Sequence, residues 1–91
     1  MEQSDVVRRA ATECELSNAA VKKVLEAIVG QIHSGLVEDG RVRIADLGIF
    51  KVADRAPRMV RSDFVDGEME VPAHKAVTFR PVKRLKKLVN Q

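Results

Sequence analysis

Between Ser17 and Gly40 the chain carries Val21, Val24, Leu25, Ile28, Ile32 and Leu36 at helical spacing, an apolar stripe that runs for about four turns. A helix with so long an apolar face needs something to cover it. Ahead of it stand Val7, Ala10, Ala11 and Cys14 at i, i+3, i+4 and i+7, behind a Ser4-Asp5 that reads as an N-cap with an acidic first turn. Ser17 serves as the cap of the second helix, and Glu38-Asp39-Gly40 ends it with glycine at the left-handed C′ position. Residues 1–40 therefore read as a helical hairpin. The chain has 91 residues, three Phe, no Trp and no Tyr, and a chain of that length buries only about 60–65% of its unfolded surface. The stripe outruns the apolar surface available to cover it, so the expectation is at least a dimer whose second copy completes the core.

After Gly40 the period shortens to about two. Val42 and Ile44, then Ile49, Phe50 and Val52, with Asp46-Leu47-Gly48 between them, predict two strands and a tight turn. From Arg55 to Pro72 the residues stay β-type but show no continuous buried face, and Asp66-Gly67 is a turn dipeptide. This segment reads as an exposed two-stranded arm. Lys75 to Arg80 returns as a strand, Pro81 ends it, and Val82, Leu85, Leu88 and Val89 give a short final helical face. The whole is a single α+β domain over 1–91, in the order hairpin (1–40), sheet body (41–54 and 73–81), arm (55–72) and C-terminal helix (82–91).

Charge is distributed unevenly along this order. Residues 1–40 hold four Lys and Arg against seven acids, 41–73 hold six against six, and 74–91 hold six against none. The formal net charge of +3 is thus concentrated at the end of the chain, where an acid-free run from His74 to Gln91 implies a positive face for a polyanion. A lone cysteine, Cys14, forms no internal disulfide and reads as a small buried hydrophobe. His33 and His74 lie far apart without metal-ligand spacing. No phosphate loop or nucleophile motif is present, so neither catalysis nor a cofactor is expected. No stretch approaches the roughly 18 apolar residues of a membrane span, and Met1-Glu2-Gln3-Ser4 lacks a signal-peptide pattern. A cytosolic or nucleoid-associated protein is expected.

The motifs along this order are specific: Leu16-Ser17 between the helices, Leu47-Gly48-Ile49-Phe50 at the hairpin, and Arg55-Ala56-Pro57-Arg58 entering the arm. Val71-Pro72-Ala73-His74-Lys75 leaves the arm, and Phe79-Arg80-Pro81 precedes the last helix. Taken together they make the chain resemble the bacterial HU and integration host factor family of histone-like DNA-bending proteins over essentially its whole length. The resemblance implies an HU-like intertwined dimer with Leu47, Phe50 and Phe79 packed around the two-fold, and two arms that clasp DNA through the minor groove. Three positions depart from the family pattern. Asp63 stands where the arm tip commonly carries a wedging proline, Asp46 where the hairpin turn usually has glycine, and Glu15 replaces a common interhelical glycine. They imply a shallower bend and fewer phosphate contacts than family members make.

The candidate DNA-binding residues are Arg55, Arg58 and Arg61 on the arm, His74 and Lys75 at its exit, and Arg80, Lys83 and Lys86 at the final helix. Strict alternation puts Arg55 and Arg61 on one face of the arm and Arg58 on the other. Arg84 and Lys87 read equally well as solvated cations. Phe64 has two readings, a cross-strand partner of Met69 or an apolar wedge that enters a base step. The function expected is duplex DNA binding with low sequence specificity, with compaction or bending. Two alternatives stay open: coating or bridging without a sharp kink, and an interaction subunit that forms a heterodimer with a paralogue in place of a homodimer.

Overall fold

The computed structural model describes residues 1–61 and 67–91, with only the backbone for Val60 and Arg61. Helix α1 (Gln3–Cys14) and helix α2 (Asn18–Glu38) form the hairpin. Helix α1 starts two residues earlier than a Ser4 cap would allow. Its N-cap is Glu2, whose side chain takes the Asp5 backbone N–H, while the Glu2 N–H donates to Asp5 Oδ2 at 2.9 Å. This reciprocal capping box satisfies two donors at once, where Ser4 would have satisfied one. Ser17 caps α2 as expected, accepting from the Ala20 N–H at 3.1 Å, and Gly40 follows the helix with φ of +72°. Between the helices Glu15 adopts φ of 56°, a left-handed conformation that costs a side-chain-bearing residue roughly 1–2 kcal/mol. Cys14, expected inside, is exposed. The buried face of α1 is confined to Val7 and Ala11, and Cys14 lies in the final turn, where the chain veers away.

Strands β1 (Arg41–Ile44), β2 (Gly48–Arg55) and β5 (His74–Pro81) make one antiparallel sheet in the order β1-β2-β5. Strands β3 (Arg58–Arg61) and β4 (Glu68–Val71) make a separate two-stranded ribbon, the arm. The register Arg55↔His74 on one side of Pro57 and Pro72, and Arg58↔Val71 on the other, keeps a constant stagger. The ladder breaks at the prolines, which have no N–H to give, and resumes without slipping a residue. Pro81 ends β5, Val82 is the N-cap, and helix α3 (Lys83–Val89) follows. The Val82 N–H donates to the Leu47 carbonyl at 3.1 Å, which ties the start of α3 to the β1–β2 turn and uses up its first free amide.

Gly48 sits where β2 leaves that turn. A Cβ there would overlap the Arg80 carbonyl oxygen and lie 2.6 Å from the Phe79 ring. Gly48→Ala must push β2 off β5, and overpacking of this kind costs about 1–3 kcal/mol. A lower urea midpoint with an unchanged slope is the expected result.

The core of the isolated chain is thin. Among the described residues the buried apolar side chains are Val7 (7% exposed) and Ala11 (3%). The α2 stripe keeps Val24 and Ile28 exposed, and these line, with Ile32, Val42 and Ile44, an open apolar groove of about 340 Å3. Phe79 remains 44% exposed and Val77 63%. The accessible surface is 7988 Å2, against about 5,300 Å2 expected for a compact monomer of 10.1 kDa. The radius of gyration is 18.4 Å, against about 12 Å for a compact domain of this length.

Candidate nucleic-acid interface

Residues directly opposed in an antiparallel ladder share a face, so the registers sort the sheet into two sides. One side carries Val42, Ile44, Phe50, Val52, Val77 and Phe79, with Phe50 and Phe79 opposed and their ring centroids 4.9 Å apart at 36°. Helix α2 packs on this side through β1 and β2. The other side is built from the rows Arg41↔Lys51↔Thr78, Arg43↔Ile49↔Arg80, Ala53↔Ala76 and Arg55↔His74. Five formal cations and a histidine therefore stand on one face. The local cause is the alternation Arg41-Val42-Arg43-Ile44, which sends its apolar residues to the helix and its arginines outward.

This face is free to take anions. Arg41, Arg43, Lys51, Arg55, His74 and Arg80 are all exposed. Among the described residues the only ion pairs are Arg8–Asp5 and Arg84–Asp46, so no carboxylate among them holds any of the face's cations. The Thr78 hydroxyl is turned onto the Lys51 carbonyl at 3.2 Å. At the root of the arm the His74 Nδ1–H donates to the Pro72 carbonyl at 3.0 Å, which holds the imidazole at a position opposed to Arg55 in the ladder. Asp54, Arg55, Ala56, Ala73, His74 and Lys75 line a shallow depression of about 560 Å3 there.

The other candidates lie around this centre. Lys75 is opposed to Asp54 and belongs to the apolar side's outer end. On the arm, Arg58 is exposed and opposed to Val71, while Arg61 is opposed to Glu68 and Met59 to Glu70. The constant stagger keeps Arg58 on the side opposite to Arg55, as strand alternation implies. Acids therefore interleave with cations toward the tip, and the positive field is strongest at the root. Asp63 and Phe64, with the choice between wedge and cross-strand contact, lie outside the described residues. On α3, Lys83 and Lys86 are exposed and three apart on one helix face. Leu47 and Phe79 are partly exposed and Phe50 half-buried. Arg41, Arg43 and Lys51 were not among the sequence candidates, because the acids of 41–73 cancel them in any count by segment. The signal that finds them is their spacing of two, read against the apolar residues between.

No helix among the described residues is long and apolar enough to cross a membrane. No group of three or more His, Cys, Asp or Glu among them could hold a metal ion.

The chain shows similarity to known proteins over nearly its full length. The family described as Bacterial DNA-binding protein matches residues 1–90. DNA-binding protein HU-1 of Halalkalibacterium halodurans is 34% identical over 90 residues, covering 99% of this chain and all of that protein. DNA-binding protein HU-beta of Escherichia coli is 32% identical with the same coverage. Among solved structures, an Anabaena HU–DNA cocrystal structure superposes with a TM-score of 0.90 at 22% identity, covering 98% of this chain and 97% of that one. An HU mutant from Thermotoga maritima superposes with a TM-score of 0.70 at 22% identity. Helix order, the proline-bounded arm, the cationic sheet face and the full-length matches agree: the chain belongs to the bacterial DNA-binding protein family that includes the HU proteins.

Proposed function

We propose that the protein is a dimeric, nucleoid-associated DNA-binding protein that holds duplex DNA on its cationic sheet faces and between its two arms, and compacts or bends it. The observation that carries this reading is the sheet face of Arg41, Arg43, Lys51, Arg55 and Arg80, unpaired among the described residues and continuous with the root of the arm. Four of the five are arginines, whose planar forks suit phosphate oxygens. Each phosphate neutralised releases condensed counterions, and that release supplies affinity without regard to sequence. The relatives named as DNA-binding proteins and the neighbour crystallised with DNA support the same partner.

The dimer is supported by surface. The chain exposes roughly 2,700 Å2 more than a compact monomer of its size, part of it the arm, and obligate dimer interfaces bury about 2,000–5,000 Å2 in total. The Phe79 ring, Val77 and the open groove beside Ile28 and Ile32 supply the apolar portion. The reading is one of binding and shaping, with no catalytic step. The arms add minor-groove contact through Arg55 and Arg58, and bending is repaid by the longer contact it permits.

Anisotropy titrations of a labelled duplex of arbitrary sequence, at several salt concentrations, test the reading. Neutralising six to ten phosphates per dimer gives a slope of log affinity on log salt of about −5 to −9. Permuting the sequence at constant length should change affinity little. A flat salt response, or binding confined to one sequence, would contradict it.

A further inference from the structure

Among the described residues one ion pair joins two separate elements, Arg84 Nη1 of α3 with Asp46 Oδ2 of the β1–β2 turn at 3.2 Å. Both side chains are more than two-thirds exposed, and a pair so open to water contributes little to stability. Asp46 also holds φ of 62° at the apex of its turn, so the position carries a small backbone strain as well. Little in the fold rewards a carboxylate here. Its surroundings are electrostatically one-sided. The turn closes the end of the sheet, and the last row on its cationic side is Arg43↔Ile49↔Arg80, next to the end row Ile44↔Gly48↔Pro81; the Val82 N–H to Leu47 carbonyl bond holds the start of α3, with Lys83, against the same turn. Asp46 is thus an anion set at the edge of a surface built to receive anions, and it is already bound to one of the cations.

We propose that Asp46 is an internal competitor for DNA phosphate, occupying the Arg84 guanidinium and so weakening the body end of the interface. The proposal rests on the duplex-binding reading above. Carboxylate and phosphate oxygens present the same acceptors to a guanidinium fork, so Arg84 serves one of them at a time. If Arg84 turns to the DNA, it leaves a bare carboxylate beside a polyanion. If it stays, it neutralises no phosphate. Either way each protomer contributes about one fewer released counterion than its cations imply, and the arms and the central rows of the sheet hold the duplex more firmly than this end does.

Asp46→Asn tests this with little disturbance of the turn, because Asn tolerates the left-handed conformation as Asp does. Asp46→Gly is a second variant suited to the same φ. Both should bind duplex more tightly than wild type, with a salt slope steeper by about 2 per dimer, so that the gain shrinks roughly tenfold between 50 and 200 mM salt. Arg84→Ala should bind more weakly than wild type, and Asp46→Asn/Arg84→Ala should return close to the wild-type slope. Circular dichroism and sedimentation of each variant separate these effects from loss of the fold. An unchanged slope in both Asp46 variants overturns the proposal, as does a double variant as steep as Asp46→Asn alone, since the gain would then not pass through Arg84. Wild-type protein that binds no duplex at 50 mM salt would overturn the duplex-binding reading itself, a result distinct from either.

Discussion

Replacing Arg41, Lys51 and Arg80 together with alanine should reduce duplex affinity by on the order of 1,000-fold or more at 0.1 M salt, while the protein stays folded and dimeric. All three are exposed and stand on the same side of the sheet, in the rows Arg41↔Lys51↔Thr78 and Arg43↔Ile49↔Arg80. None of them has an ion-pair partner among the described residues, so their removal costs the fold little. A dimer loses six cations. If each neutralises a phosphate, the salt slope becomes shallower by about 5, and the loss is uniform over sequences because phosphates carry no sequence information. Replacing Lys22 and Lys23 on α2, away from the sheet face, should leave the slope as it is. Equal losses from the two sets would mean that overall charge, and not this face, does the binding.

Phe79→Ala should abolish the folded dimer at micromolar concentration. In the single chain the ring lies 4.9 Å from Phe50 and closes over Gly48, yet it stays 44% exposed. Truncating a fully buried Phe costs about 3–5 kcal/mol, and a ring left half in water would cost about half of that. The whole stability of a small protein is about 5–15 kcal/mol, so the two cases are separable. Covered by a partner, Phe79 carries a large share of the total, and the urea midpoint of wild type should rise with protein concentration because unfolding and dissociation are one event. A concentration-independent midpoint, with a loss of only about 2 kcal/mol in the variant, would place the ring at the surface of a stable monomer.

The sequence carried the elements because each is set by a local rule. Ser17, Gly40 and the stripe between them define α2; the switch to a period of two defines β1 and β2; Pro57 and Pro72 bound the arm. Two local readings failed where competing local chemistry intervened. Ser4 lost the cap to a Glu2–Asp5 reciprocal pair, and Cys14 lies in the last turn of α1, beyond the buried Ala11. The site was legible in part. An acid-free tail pointed to Arg80, Lys83 and Lys86, and the resemblance pointed to the arm. Arg41, Arg43 and Lys51 required the register, because only strand pairing shows that cations from three strands fall on one face. The Asp46–Arg84 pair spans 38 residues of chain, and no spacing rule reaches that far.

The most direct test follows backbone amide shifts of isotope-labelled dimer as a duplex is added. The sheet face and arm root are expected to move first and furthest, at Arg41, Arg43, Lys51, Arg55, His74 and Arg80, with α1 and the middle of α2 nearly still. Shifts that gather on α1 and α2 and spare β1, β2 and β5 would show that DNA meets a different surface.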